Sequence, residues 1–186
     1  VSLVSQWSSE AKQKIRKSDF KIIGYHGATR CRNLPTLAGS DLVITTYETL
    51  ATELRTFLSQ SHNKKSSKKA STFSIFNINW HRVVLDESHK IKGQCSNSNA
   101  VNELISKRRW CVTGTPINTK IADFAGQFKF IGVPGFDCTR CWSEAFSKPY
   151  SRLSKELLVS GVHPEVACAS FMSVLRGVVM RHTKSM

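Results

Sequence analysis

At 186 residues the chain is long enough for one ordinary domain and too short for two of comfortable size. Apolar residues make up 40% and charged residues 22%, which excludes disordered and fibrous classes, and no apolar run reaches the ~18 residues a membrane helix needs. Lys and Arg total 27 against 13 Asp and Glu, a formal charge of +14 with a pI near 9.8. A polyanion is therefore the expected partner, bound with release of its counterions. Nothing near Val1 has the layout of a signal peptide, and the six Cys read as reduced, intracellular thiols. With Val1 rather than Met in first place, the chain is expected to be a piece of a longer protein.

In chain order, Trp7, Ala11 and Ile15 recur at helical spacing, which predicts a helix over Ser9–Lys17 capped by Ser8 or Ser9. Phe20–Tyr25 reads as a short strand ending at His26-Gly27, and Leu42-Val43-Ile44 as a strand buried on both faces. Thr45 and Glu48 have the spacing of a capping box, ahead of a helical face made by Leu50, Leu54, Phe57 and Leu58. From Ser59 the pattern dissolves into Ser, Asn, His and Lys, including Lys64, Lys65, Lys68 and Lys69, so residues 59–79 are expected to form an exposed basic insertion. Its simplest reading is a solvated loop; nuclear import and DNA contact are the functional alternatives.

Val83-Val84-Leu85 predicts a second buried strand and Trp110-Cys111-Val112 a third, with a helical stripe of Val101, Leu104 and Ile105 between them. Ile121, Phe124, Phe128 and Ile131 predict an amphipathic helix stopped by Gly132 and Pro134, and Phe171, Val174, Leu175 and Val178 a final one. Short apolar strands alternating with amphipathic helices predict an α/β domain on a mainly parallel sheet over residues 1–136, followed by a helical extension over 137–186.

Ligands of open parallel sheets gather at the carboxyl ends of the strands. The first such end carries Asp86-Glu87-Ser88-His89. Two carboxylates delivered by an apolar strand suit nucleotide hydrolysis: Asp86 to hold Mg²⁺ through its waters, Glu87 to polarise the water attacking a γ-phosphate. The second end carries Thr113-Gly114-Thr115-Pro116, two hydroxyls around a permissive Gly in a compact turn. Either feature alone is also an ordinary strand end or turn.

Together they belong to a series: Ser5-Gln6-Trp7, Tyr25-His26-Gly27, Leu42 through Leu50, Arg82 through Lys92, Arg108 through Ile117, and Met180-Arg181-His182-Thr183-Lys184. In order and distance this series resembles the Swi/Snf-related ATPases of helicase superfamily two. The resemblance implies an incomplete RecA-like first lobe that binds ATP and Mg²⁺, grips double-stranded DNA or chromatin, and works in the nucleus in remodelling or repair. It makes Asp86 and Glu87 the Walker B pair, His89 the link to motif III, and Thr113, Gly114 and Thr115 motif III itself. Thr45, Thr46 and Tyr47 fall where the family touches the DNA backbone; a helix start with hydroxyls offers N–H groups to a phosphate, and Thr45 is equally suited to capping. The Arg108-Arg109-Trp110-Cys111-Val112 stretch is most similar to the RING-bearing post-replication-repair translocases.

The phosphate-binding loop is absent, since no Gly-Lys pair occurs, and so is a second lobe with its arginine finger. Both are expected in the rest of the parent, and this chain alone is expected not to turn over ATP. Ser88 stands where the family more often has Ala, Gly93 and Asn118-Thr119 replace Asn and Gln-Asn, and Ala125-Gly126-Gln127 is expected to dilute its helix. Cys138 and Cys141, with His163 and Cys168 downstream, have one C-x₂-C spacing and read as thiols before they read as a zinc site. The competing classes are a non-catalytic basic module that grips DNA or chromatin and an inactive ATPase relative acting through protein contacts.

Overall fold

The computed structural model describes residues 3–16, 18–62, 74–93, 95–117, 121–134 and 169–181, with residues 140, 143 and 148. Helix α1 spans Leu3–Lys14 and strand β1 Ile22–Tyr25. The helix starts several residues before the serines expected to cap it, because Val4 in its first turn is buried against β1, 3.5 Å from where a Cβ on Gly24 would lie. Helix α2 (Leu34–Ala38) starts at Asn33, whose side chain accepts from the Thr36 N–H, with Pro35 in the first turn. Strand β2 (Leu42–Thr45) then pairs parallel with β1, in a register from Ile22 beside Leu42 to Tyr25 beside Thr45.

Helix α3 (Tyr47–His62) corrects the expected cap. Thr45 is still strand, its hydroxyl donating to the Tyr25 carbonyl at 2.7 Å. Thr46 is the cap: its Oγ1 accepts from the Thr49 N–H at 3.2 Å. Glu48 sits in the first turn, where a carboxylate complements the helix dipole. Leu50, Ala51, Glu53 and Leu54 are the buried face. The helix also runs into the stretch expected to be exposed insertion, and beyond the undescribed basic run Ser74, Ile75, Phe76 and Ile78 are buried around a 3₁₀ turn at Ile75–Asn77. At 74–78 the expected exposure does not hold, because these apolar residues close the core beneath α3, with Phe57 and Phe76 rings 5.7 Å apart.

Strand β3 (Val83–Leu85) pairs parallel with β4 (Arg109–Cys111), and helix α4 (Ser96–Asn102) connects them. The expected burial on both faces does not hold. Leu85 and Cys111 point inward, whereas Val84 is 54% and Trp110 44% exposed, the alternation of a sheet with one open face. The described strands thus form two parallel pairs, joined by a single hydrophobic cluster that includes Tyr25, Leu37, Leu50, Leu85, Ile91 and Val101. After a 3₁₀ turn at Ile121–Asp123, helix α5 (Phe124–Ile131) buries Phe124, Phe128 and Phe130 and ends at Gly132, whose φ of 76° is the left-handed helix stop expected of that residue.

Arg109 locks α5 to β4 by donating to the carbonyls of Phe130 (3.0 Å) and Leu104 (2.7 Å), and burial holds its guanidinium below the ordinary value. A second buried cation, Arg30, pairs with Glu53 of α3 and lies over the Tyr25 ring. Burial, reinforced by the Glu53 charge, pushes the Tyr25 phenol up to about 12. Arg30→Met is expected to destabilise the chain by roughly 2 kcal/mol, less than the loss of a fully dry pair because both side chains keep some solvent. Urea denaturation checks this, and adding Glu53→Leu should recover most of the loss.

Contacts divide the chain into two compact units, Val1–Ile131 and Gly132–Met186. In the second, helix α6 (Ala169–Val178) carries the expected final stripe, of which Val174 and Leu175 are half-buried and Val178 is exposed. The Cys138, Cys141, His163 and Cys168 constellation lies outside the described residues, as do Asn118-Thr119 and residues 182–184. Among the described residues no helix is long and apolar enough to cross a membrane.

Candidate active site

The parallel pairing of β3 with β4 sets Leu85 beside Cys111, so the two chains leave the same sheet edge as neighbours. The ladder continues past the strands: the Val112 N–H donates to the Leu85 carbonyl at 2.8 Å, and the Ser88 N–H to the Val112 carbonyl at 3.0 Å. Between these rungs, both on Val112, the chain must fit in one residue more than a regular parallel ladder holds. It does so through Glu87, the only non-glycine with positive φ among the described residues (φ 49°, ψ 46°). A long side chain in left-handed backbone costs on the order of 1 kcal/mol and marks a place where surrounding bonds dictate the conformation.

The turn separates the two acids. The Asp86 carboxylate accepts from the Trp7 indole N–H of α1 at 3.2 Å and from the Glu87 N–H at 2.9 Å, while the Asp86 carbonyl accepts from the Tyr47 hydroxyl at 2.8 Å. Burial pushes the Tyr47 phenol above its ordinary value, with Cys111, Asp86 and Glu87 adding to the effect, so it remains a donor at any pH the protein meets. The Glu87 carboxylate turns instead to His89, with Oε2 3.1 Å from Nδ1. That same Nδ1 lies 3.1 Å from the Thr113 hydroxyl and 3.4 Å from the Thr115 hydroxyl. The Thr113 hydroxyl also accepts the Thr115 N–H at 3.1 Å, which closes the turn around Gly114. A single ring nitrogen facing three oxygens serves one at a time: as N–H it donates to Glu87, and as the bare nitrogen it accepts from a threonine.

All three oxygens and the Asp86 carboxylate are hard donors, and the Glu87 side chain is 52% exposed at the strand edge. A hydrated Mg²⁺ would be held by this edge through its waters, each Asp86 oxygen keeping a lone pair beside the N–H it accepts. Behind the edge, Cys111 is shielded: burial pushes its thiol up to about 11, against a smaller opposite pull from the Ser88 hydroxyl. In native protein Cys111 is expected to react with iodoacetamide roughly a hundredfold more slowly than an unperturbed thiol of like exposure. Mass-spectrometric mapping against Cys31 and Cys95 checks this.

A family model described as the SNF2-related domain matches residues 1–186. The chain belongs to the SNF2-related family. It is 28% identical over its whole length to the DNA repair protein RAD5A of Arabidopsis thaliana, of which it spans 16%, and 30% identical to the DNA repair protein rad5 of Neurospora crassa, of which it spans 15%. Over 77% of the chain it is 32% identical to transcription termination factor 2 of Drosophila melanogaster, of which it spans 12%. Among solved structures it resembles the Sulfolobus solfataricus SWI2/SNF2 ATPase core in complex with double-stranded DNA, with a TM-score of 0.71 at 22% identity, covering all of this chain and 33% of that one. The fold of this SNF2-related domain is thus α/β, with short parallel sheets and flanking helices, as expected.

The residues singled out in sequence fall into two groups in the SNF2-related domain. Asp86, Glu87, His89, Thr113, Gly114 and Thr115 meet at one edge. Thr45, Thr46 and Tyr47 lie at the end of β2 and start of α3, joined to that edge by the Tyr47 hydroxyl. Sequence reasoning missed Trp7 as a partner of Asp86, having read it as a helix-face residue. It also missed Gln127, whose signal was a polar side chain on the apolar face of a helix.

Proposed function

We propose that this chain is the part of an ATP-dependent double-stranded-DNA translocase motor that activates the attacking water and relays nucleotide state to the DNA grip. The observation that carries this reading is the shared position of His89 Nδ1, 3.1 Å from Glu87 and 3.1 Å from Thr113. Glu87 orients the water and takes its proton. His89 senses whether that carboxylate carries the proton and passes the difference to the Thr113–Thr115 turn. Asp86, oriented by Trp7 and by the Glu87 N–H, holds Mg²⁺ through water; the ion, when bound, neutralises charge gathering on the phosphate oxygens.

The DNA side of the proposal rests on the charge of +14 and on the run Thr45-Thr46-Tyr47, which leads into the start of α3, a helix N-terminus of the kind that favours a phosphate. The relatives named as DNA repair proteins support a nuclear repair role; the chain spans only 16% and 15% of two of them, and a longer parent would supply the phosphate-binding loop and second lobe.

The test is DNA-stimulated ATP hydrolysis by the full-length protein. Thr113→Val is expected to lower the stimulated rate about tenfold with the KM for ATP nearly unchanged. The isolated chain is expected to show no turnover; robust hydrolysis by it, abolished by Glu87→Gln, would overturn the division of labour proposed. Duplex binding should weaken with salt at about −0.9 in log–log slope per phosphate contacted, and a flat response would remove the DNA grip.

A further inference from the structure

Helix α5 comes closer to the Asp86–His89 turn than any side chain at the contact would permit. An added Cβ on Gly126 would lie 1.8 Å from the Ile91 carbonyl oxygen, so two backbones touch there. The expected dilution of this helix is therefore wrong in kind: Gly126 tightens the packing. The close approach delivers the next residue, Gln127, to both strand-end turns at once. Its Oε1 accepts from the Ser88 hydroxyl at 3.1 Å and its Nε2 donates to the Pro116 carbonyl at 2.9 Å. The amide orientation follows from chemistry, since a carbonyl only accepts and so must face the NH₂ end. Ser88 is wholly buried and Gln127 4% exposed, so water is no substitute for the bond between them.

We infer that Gln127 is a positioning residue that clamps the acid-bearing turn to the Thr113–Pro116 turn and so fixes the separation His89 must bridge. The inference rests on the motor reading above. Ser88 and Gln127 act as a matched pair: the buried hydroxyl meets an amide placed on an apolar helix face. His89 follows directly after one clamped residue, and Thr113 stands three before the other. Removing the clamp leaves both turns on their strands but frees their spacing.

The experiment uses the full-length protein with saturating duplex DNA. Gln127→Leu is expected to lower the kcat of DNA-stimulated ATP hydrolysis about tenfold and to leave the KM for ATP within about twofold. Ser88→Ala, milder for folding, is expected to lower kcat about threefold, because the Pro116 bond survives. The Ser88→Ala/Gln127→Leu double variant removes both ends of one buried bond. It is expected to be thermally more stable than Gln127→Leu, since no orphaned Ser88 hydroxyl stays buried, but not to regain kcat. Rates that follow the thermal midpoint through all three variants, or a wild-type kcat for Gln127→Leu, would make Gln127 a packing residue and overturn the inference. An unsubstituted protein without DNA-stimulated hydrolysis overturns the motor reading, and the clamp with it. Stimulation in the unsubstituted protein together with indifference to Gln127 overturns the clamp alone.

Discussion

Glu87→Gln in the full-length protein is expected to lower DNA-stimulated ATP hydrolysis by about 10²–10⁴-fold, the range carried by a single general base. The substitution is nearly isosteric. The amide still occupies the left-handed turn and still offers an oxygen to His89 Nδ1, 3.1 Å away in the native site. What it cannot do is accept a proton. Folding should therefore be spared: with the side chain 52% exposed, the unfolding free energy is expected to change by no more than about 0.5 kcal/mol. Steady-state rates at saturating ATP and DNA, with urea denaturation of the same preparation, separate chemistry from folding. A rate within roughly threefold of the unsubstituted protein would move water activation to another residue.

Gly126→Ala should act in the opposite way, on folding first. The new methyl group would have to displace the Ile91 backbone, whose carbonyl carbon as well as oxygen would lie within 3 Å of it (2.9 and 1.8 Å). Ile91 is wholly buried and follows directly on the 3₁₀ turn at Ser88–Lys90, so it has nowhere to retreat without moving the acid-bearing turn. A loss of about 4 kcal/mol or more is expected, at the top of the range for one substitution. Gly114→Ala is the control: nothing lies within 4 Å of its added methyl, and stability should change by less than about 1 kcal/mol. Equal loss from both would show that the α5 contact does not govern stability.

Much of this arrangement was legible in the sequence, because it depends on properties that a linear pattern records. Apolar triplets at 83–85 and 110–112 marked the strands, and parallel pairing then required their carboxyl ends to adjoin, which brought His89 to Thr113. What stayed hidden depends on three-dimensional partners. Val84 and Trp110 look like core residues in any apolar triplet, and only the coverage of each sheet face distinguishes inward from outward positions. The cap of α3 shifted from Thr45 to Thr46 because β2 holds Thr45 through the Tyr25 carbonyl, a competition between neighbouring elements. Gly126 looked like a weak helix former because helix propensity is counted along the chain, whereas its value lies across the gap to Ile91.

The backbone at Glu87 also limits what any mutational library at that position can return. Left-handed torsions admit Gly freely, Asn and Asp readily, and β-branched residues hardly at all. Variants would be sieved for foldability before they are sieved for chemistry: Val and Ile drop out at the first screen, while Asn and Gly pass it without a carboxylate. Asp alone keeps both the acid and an easy fit to the torsions, one methylene short of the reach that meets His89. Survival in such a screen would report on torsion angles, and turnover on side-chain length, so one saturated codon would read the two requirements separately.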